Sequence, residues 1–494
     1  MSSPRQSRLV RSGLITVAIL SFALWLAWPA LDFPWYYDDY HLIRAFSGAG
    51  LYQAFTGPWD VDDLEFRSYR PLMELFNHLR GSWLGEHVWM HRVLGVAICA
   101  ICVSIACLLM TELGLGIGPA IGASLLIVAS VSNTANLIWI TDAAHALSAA
   151  FVLAGALVVL RPRFRWFHGL ALYAAALAGM LVREDIAVLF SIVALVSLTA
   201  ANRITPLAPI NEGVPLPSLR SLELSRLLVT IACLAGAIVT YFALQRAMVP
   251  REGMSVEVAG ALIHFYWTLL PSGTDTVPIV LAQLAVFAAA LLGLPFLYRR
   301  NRMAFILVAL LLAGVLLACL PGLLTQRMNL LLVPTLFYVF FLAACYQALS
   351  AHPTATAVRW GLAVVWTGWL GLCVHQSRIA QETAHPLSLT NIQHTTAFIY
   401  GEYRAGGARI PAVRQLEGEK YLARFGILSI EDSARFAALR DEALKKGIRT
   451  PAAELPFVPR MSFIYGYCDP NGDQPGPPGP FKLAGRVPCW AASE

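Results

Sequence analysis

Charge is what this sequence holds least of. Asp, Glu, Lys and Arg make up 13% of its 494 residues, where a soluble globular chain carries roughly a quarter. That shortage excludes a soluble enzyme, a disordered protein and a nucleic-acid binder. Lysine is scarcer still. The four lysines, Lys420, Lys445, Lys446 and Lys482, all fall after residue 375. Internal repeats of the kind many transporters carry are not visible. Metal-ligand spacings are missing too. Cys99 and Cys102 imitate a CxxC pair, but no His or carboxylate neighbours them in their apolar run, so no metal site is assigned there. They and Cys107, Cys233, Cys319, Cys345 and Cys373 behave as small apolar residues.

What fills the sequence instead is apolar. Hydrophobic residues make up 57% of it. A membrane-spanning helix needs roughly 20 apolar residues, and such runs lie near 12–30, 89–110, 115–133, 143–160, 167–182, 185–201, 225–245, 278–297, 303–320, 329–348 and 358–375. The expectation is an all-α integral membrane protein of about eleven transmembrane helices. It has a large first outer loop, 31–87, and a small outer C-terminal domain. Residues 1–375 form the polytopic body and 376–494 a mainly helical extracytoplasmic tail. The stretch 255–271, short and holding Glu257 and His264, is expected to be re-entrant or surface-lying.

Arginine placement orients the body. Arg5, Arg8 and Arg11 precede the first run, which is too long for a signal peptide's apolar core and is read as a retained span with a cytoplasmic N-terminus. Alternate connections are then basic, at Arg161, Arg163 and Arg165, at Arg203, Arg220 and Arg226, at Arg299, Arg300 and Arg302, and at Arg359, as the positive-inside rule requires. An odd number of spans puts the tail outside. Of the body's acids only Glu112, Glu212 and Glu223 fall on the cytoplasmic side. The tail's Cys468 and Cys489 lie in a Pro/Gly-rich stretch with little core, and an oxidising compartment favours pairing them.

The first outer loop opens with Asp32-Phe33-Pro34-Trp35-Tyr36-Tyr37-Asp38-Asp39-Tyr40-His41. Adjacent carboxylates repel and are costly to desolvate. Such a pair serves as a general base or a cation ligand, or else as a turn or helix cap. Asp60, Asp62, Asp63 and Glu65 read as a solvated turn, and Glu74, Asn77 and His78 follow on a helical run. Asp142 and His145 sit one helical turn apart at the outer end of the fourth span, level with Glu184 and Asp185. Ionisable groups at that depth mark a functional site by default, though a structural hydrogen-bonded pair suits His145 equally. The density of acids leaves room for a divalent metal, but no ligand spacing demands one.

A first span followed by Asp38-Asp39-Tyr40-His41, then Tyr69-Arg70-Pro71-Leu72, then His91-Arg92-Val93-Leu94-Gly95 at the start of the second span, resembles the GT-C superfamily of membrane glycosyltransferases. The likeness is greatest to the protein O-mannosyltransferase branch and its bacterial relatives, and covers about residues 10–375. Arg183-Glu184-Asp185 looks like the Lys-Glu pair at the outer end of a middle span in that family. Gln326-Arg327, leading towards Pro334, resembles its late arginine motif, with Met328 where a tyrosine is usual.

The resemblance implies a polyprenyl-phosphate-linked sugar as donor and a glycan, lipid or protein as acceptor. It casts Asp38, with Asp39 beside it, as the base, and inversion at the anomeric carbon as the outcome. His41, Tyr69, Arg70, His91, Asp142, Arg183, Glu184 and Arg327 become the substrate-binding candidates. Arginine's planar fork suits the phosphate leaving group, with Arg327 first, Arg70 and Arg183 next, then Arg246 or Arg251. Each arginine alone is as well explained by snorkelling to the interface. Two rivals are a transporter or flippase of lipid-linked glycans and a non-catalytic membrane assembly protein. Little lysine beside much Arg and Ala points to a GC-rich bacterial gene, and so to a bacterial inner membrane with the tail in the periplasm.

Overall fold

The computed structural model of the protein describes residues 4–31, 42–43, 45–57, 68–85, 87–161, 164–202, 221–249, 262, 265–266, 268–273, 277–300, 302–320, 331–350, 356–383, 467–468 and 475–476. Asp38, Asp39, His41, Arg251, Arg327, Cys489, the acidic run 60–65 and most of the expected re-entrant stretch lie outside the described residues.

Helices occupy every one of the apolar runs. In chain order they are α1 (Pro4–Ala27), α2 (Gly48–Thr56), α3 (Pro71–Leu84), α4 (Val88–Glu112), α5 (Ile117–Ala129), α6 (Val131–Ile138), α7 (Ala143–Val159), α8 (Trp166–Val182), α9 (Phe190–Asn202), α10 (Ser221–Met248), α11 (Val277–Arg300), α12 (Arg302–Ala318), α13 (Leu332–Ser350) and α14 (Thr356–Thr383). Short 3-10 segments follow α1 at Trp28–Ala30 and join α8 to α9 at Glu184–Leu189. In the tail, the described residues form one antiparallel pairing, β1 (Tyr467–Cys468) with β2 (Pro475–Gly476). Residues 384–466, the greater part of the expected helical tail, lie outside them.

Among the described residues, four stretches are long and apolar enough to cross a membrane, Ser12–Ala30, Val88–Glu112, Ser225–Met248 and Val277–Arg299. Further apolar helices are shorter, among them α5, α7 and α8. The shortening has identifiable causes. The run expected to be one span over 115–133 breaks at Ser130, whose backbone is extended (ψ 139°). The Ser130 hydroxyl turns back to the Ile127 carbonyl at 2.8 Å, and the Val131 N–H donates to the Pro271 carbonyl at 2.8 Å. The run 185–201 starts with the 3-10 turn instead of a regular helix. In the other direction, α14 continues past 375 to Thr383, so the boundary drawn there falls inside a helix.

Lipid tails are as apolar as leucine, so helices in a membrane gain nothing by hiding leucine from them. Close packing of small residues and buried polar bonds drive association instead. The α7–α8 pair follows this rule. Ala143, Ala144, Ala146, Ala149 and Ala156 are buried on α7. A Cβ added to Gly179 of α8 would lie 2.8 Å from Val152 Cγ2 and 3.1 Å from the Ser148 carbonyl oxygen. Ser148 Oγ donates to the Gly179 carbonyl at 2.8 Å, and the Arg183 N–H donates to the same oxygen at 2.9 Å. The close approach thus sets where α8 ends and where Arg183 begins. Large apolar side chains point the other way. Leu14, Leu170, Val239, Leu281, Leu292 and Val364 are exposed, which suits a lipid-facing surface. Trp25, Trp28, Trp83, Trp89 and Trp166 are exposed near helix ends, where interface aromatics belong. The most enclosed stretch is in α13, where every residue from Leu332 to Cys345 is buried, while among the four long apolar stretches α4 is 61% buried against 22% for α10 and 17% for α11.

Gly179→Leu overpacks this contact and is expected to destabilise the bundle by about 1–3 kcal/mol. Leu170→Ala, on the exposed face of the same helix, is expected to cost much less. Denaturant unfolding in mild detergent measures both, and equal losses would remove the close-packing argument.

Candidate functional site

Arg70 stands directly before Pro71. Proline disfavours helix in the residue before it, and Arg70 is accordingly non-helical (φ −134°, ψ 54°) while its carbonyl accepts from Met73 N at 3.0 Å to start α3. Its side chain is left to reach across the bundle. It meets Glu184, the first residue of the 3-10 turn between α8 and α9. Arg70 Nε donates to Glu184 Oε2 at 2.8 Å and Nη2 to Oε1 at 2.7 Å, a two-pronged ion pair. Ser68 Oγ donates to Oε1 at 3.0 Å. The Tyr241 hydroxyl of α10 lies 3.2 Å from the Tyr69 carbonyl oxygen and 3.4 Å from Glu184 Oε2. Its single proton serves one of them at a time. The Tyr69 hydroxyl donates to the Phe55 carbonyl at 3.0 Å, holding the end of α2.

A second pair lies beside the first. Arg183 Nε donates to Asp185 Oδ1 at 3.1 Å. His145 is buried between two carboxylates, with Nε2 3.6 Å from Asp142 Oδ1 and Nδ1 3.7 Å from Asp185 Oδ2. Of the residues picked out in the sequence, Arg70, Asp142, Arg183 and Glu184 therefore meet in one lattice, and His145 and Asp185 join them. Ser68 and Tyr241 belong to it as well and carried no flag in the sequence. A tyrosine near the end of an apolar run looks like any interface tyrosine, and Ser68 is neutral.

His91 sits apart from the lattice, fully buried. Its Nε2 is 2.9 Å from the Gly85 carbonyl oxygen, a contact that closes the turn between α3 and α4. Nearby, Glu74, Asn77 and Arg80 form a buried row along α3. Asn77 Nδ2 donates to Glu74 Oε1 at 3.1 Å, and Arg80 Nη2 donates to Asn77 Oδ1 at 2.6 Å. Arg80 Nη1 reaches the Ile140 carbonyl at 2.8 Å and so fixes the connection that carries Asp142. His78 Nδ1 accepts from the Phe46 N–H at 2.9 Å. Arg246 is exposed in the last turn of α10, where a cation complements the helix dipole. Among the described residues no group of three His, Cys, Asp or Glu side chains is placed to hold a metal.

Burial alone would raise the Glu184 carboxyl, but the adjacent Arg70 guanidinium outweighs it and holds the group below the ordinary carboxylate value. A depressed folded-state pKa contributes stability at every pH above the unfolded value, about 4.3 for Glu. That contribution is lost as pH falls through the lower folded value. Glu184→Gln should therefore flatten the acid limb of the stability curve while leaving its neutral region lower. Glu184→Ala is expected to cost about 2–3 kcal/mol. That is below the 3–5 typical of a fully buried pair, because the Glu184 side chain keeps 27% of its exposure. Thermal unfolding from pH 3 to pH 8 checks both, and an unchanged acid limb in Glu184→Gln would show that the pair does not set it.

Comparison with protein-family models, with curated proteins and with solved structures returned no match, so the residues and their geometry carry the functional argument.

Proposed function

We propose that this is a membrane glycosyltransferase that moves a sugar from a polyprenyl-phosphate donor to a glycan, lipid or protein acceptor at the end of the bundle that carries the lattice. The observation that carries this reading is the meeting of Arg70, Arg183, Glu184, Asp185, Asp142 and His145 at one end of apolar helices. Ionisable groups at such a place are expensive and mark function. About eleven spans, a cytoplasmic N-terminus and a bacterial inner membrane belong to the same reading.

The roles divide by what each group has free. Arg70 is engaged by Glu184 through both prongs, so it is a positioning residue that holds the 3-10 turn. Arg183 uses Nε alone for Asp185, which leaves its terminal nitrogens to face a phosphate. Three carboxylates stand against two guanidiniums in the lattice, so a phosphate needs a further cation, and Arg327 is assigned that part. Asp38 takes the acceptor's proton while the acceptor oxygen bonds to the anomeric carbon. The bond from that carbon to the phosphate oxygen breaks, and polyprenyl phosphate departs with the electron pair.

Asp38→Asn is expected to lower turnover by about 10²–10⁴-fold, the usual contribution of a positioned base. Arg183→Gln should lower it by about 10²–10³-fold, the usual loss when one charge-stabilising donor is removed. Mass spectrometry of glycans and lipids from cells carrying the wild-type gene, a deletion and each variant provides the check. A missing surface sugar together with accumulated lipid-linked donor is the expected result in all three altered strains. If Asp38→Asn with Asp39→Asn restores the deletion to a wild-type profile, the carboxylates are not catalytic and a transporter or assembly role takes their place.

A further inference from the structure

Away from the charged lattice, α6 meets the C-terminal end of α14 through neutral polar side chains. Thr134 Oγ1 and Ser377 Oγ are 2.9 Å apart and buried. Gln381 follows Ser377 by four residues and so shares its helix face one turn further along. Both polar atoms of the Gln381 amide, both polar atoms of Asn136 and Oε1 of Gln376 are buried with no hydrogen-bond partner. The residues themselves are 0%, 2% and 8% exposed. A buried amide without a partner bears the whole cost of its lost water, and native structures rarely leave one so. Five such atoms on two packed helices are not explained by packing. Arg378, the one cation in this stretch of α14, is turned to α1, where it donates to the Trp25 carbonyl and lies 4.8 Å over the Trp25 ring.

We propose that the junction of α6 with the C-terminal end of α14 binds the glycosyl unit of the substrate, holding its hydroxyls through Asn136, Gln376 and Gln381. An amide offers donors and an acceptor on one group, as a hydroxyl does, and matches a polyhydroxylated ring. The absence of charge among these three side chains rules against an anion, whose place is the arginine lattice. Asn136 and Asp142 are six positions apart in the sequence, and an extended segment of that length spans at most about 20 Å. The neutral and charged groups therefore lie at the two ends of one short connection, which fits a ligand with a neutral ring and a phosphate. This assignment rests on the transferase reading for the identity of its ligand.

The test uses the full chain in lipid nanodiscs, with thermal unfolding as readout. The probes are butyl glucoside, galactoside, mannoside and arabinoside, and separately butyl phosphate. At least one glycoside is expected to raise the unfolding midpoint of the wild type. Gln376→Leu/Gln381→Leu is expected to bind it about tenfold or more weakly, having lost two amide partners. Butyl phosphate protection is expected to be unchanged in that variant. Removing unpartnered groups should leave the apo variant at least as stable as the wild type. Gln381→Met, close to glutamine in length, repeats the comparison singly should the double variant fail to fold. Equal protection of variant and wild type, or no protection by any glycoside, overturns the proposal and leaves the amides to ordered water. Protection by glycoside without protection by butyl phosphate keeps this site and removes the phosphate-dependent transferase reading. The reverse result keeps that reading and removes this site.

Discussion

The two-pronged bond between Arg70 and Glu184 is the constraint on which the described architecture turns. A carboxylate at the end of apolar helices loses solvation, and it keeps its charge only where a cation and hydrogen-bond donors replace water. Arg70, Ser68 and Tyr241 do that for Glu184. They come from the chain entering α3 and from α10, while Glu184 stands at the break between α8 and α9. One carboxylate thus fixes several segments at once, and the segments in turn bring Arg183, Asp185 and His145 into register.

The rest of the bundle obeys the same rule of polar contact and close approach. Gly179 lets α7 and α8 come near enough for Ser148 to bond across. Ser132 reaches Thr335 at 3.0 Å, and Gln283 accepts from Trp369 Nε1 at 3.0 Å. These bonds give α13, α11 and α14 fixed positions that leucine against lipid would not. Arg80, by holding the Ile140 carbonyl, does for the α6–α7 connection what Arg70 does for the 3-10 turn.

The helices were legible in the sequence because a run of about 20 apolar residues has few alternatives to a helix. Their interruptions were not. Ser130 is a tolerated helix residue, and the carbonyl that draws the chain away at Val131 belongs to Pro271, far along the sequence. The end of α14 was misplaced for the converse reason. Gln376, Ser377, Arg378 and Gln381 look like the end of a span, yet the helix runs on to Thr383, with Ser377 bonded to Thr134 and Arg378 to the Trp25 carbonyl. In the site, Arg70, Asp142, Arg183 and Glu184 stood out as charges in an apolar context. That Arg70 faces Glu184 across 114 residues had no local signature, and the neutral partners Ser68 and Tyr241 had none either. The loop acids Asp38 and Asp39 lie outside the described residues.

The contact of Arg378 with Trp25 bears on how the molecule is made. It joins α14 to α1 across 353 residues of chain. At about 5–20 residues per second, a ribosome needs roughly 20–70 s to supply the second partner after the first has entered the membrane. During that interval the face of α1 that will meet α14 must rest against lipid or an insertion factor. Closure of this contact therefore waits on the synthesis of α14, and α1, made early among the described helices, is among the last to find its full set of neighbours.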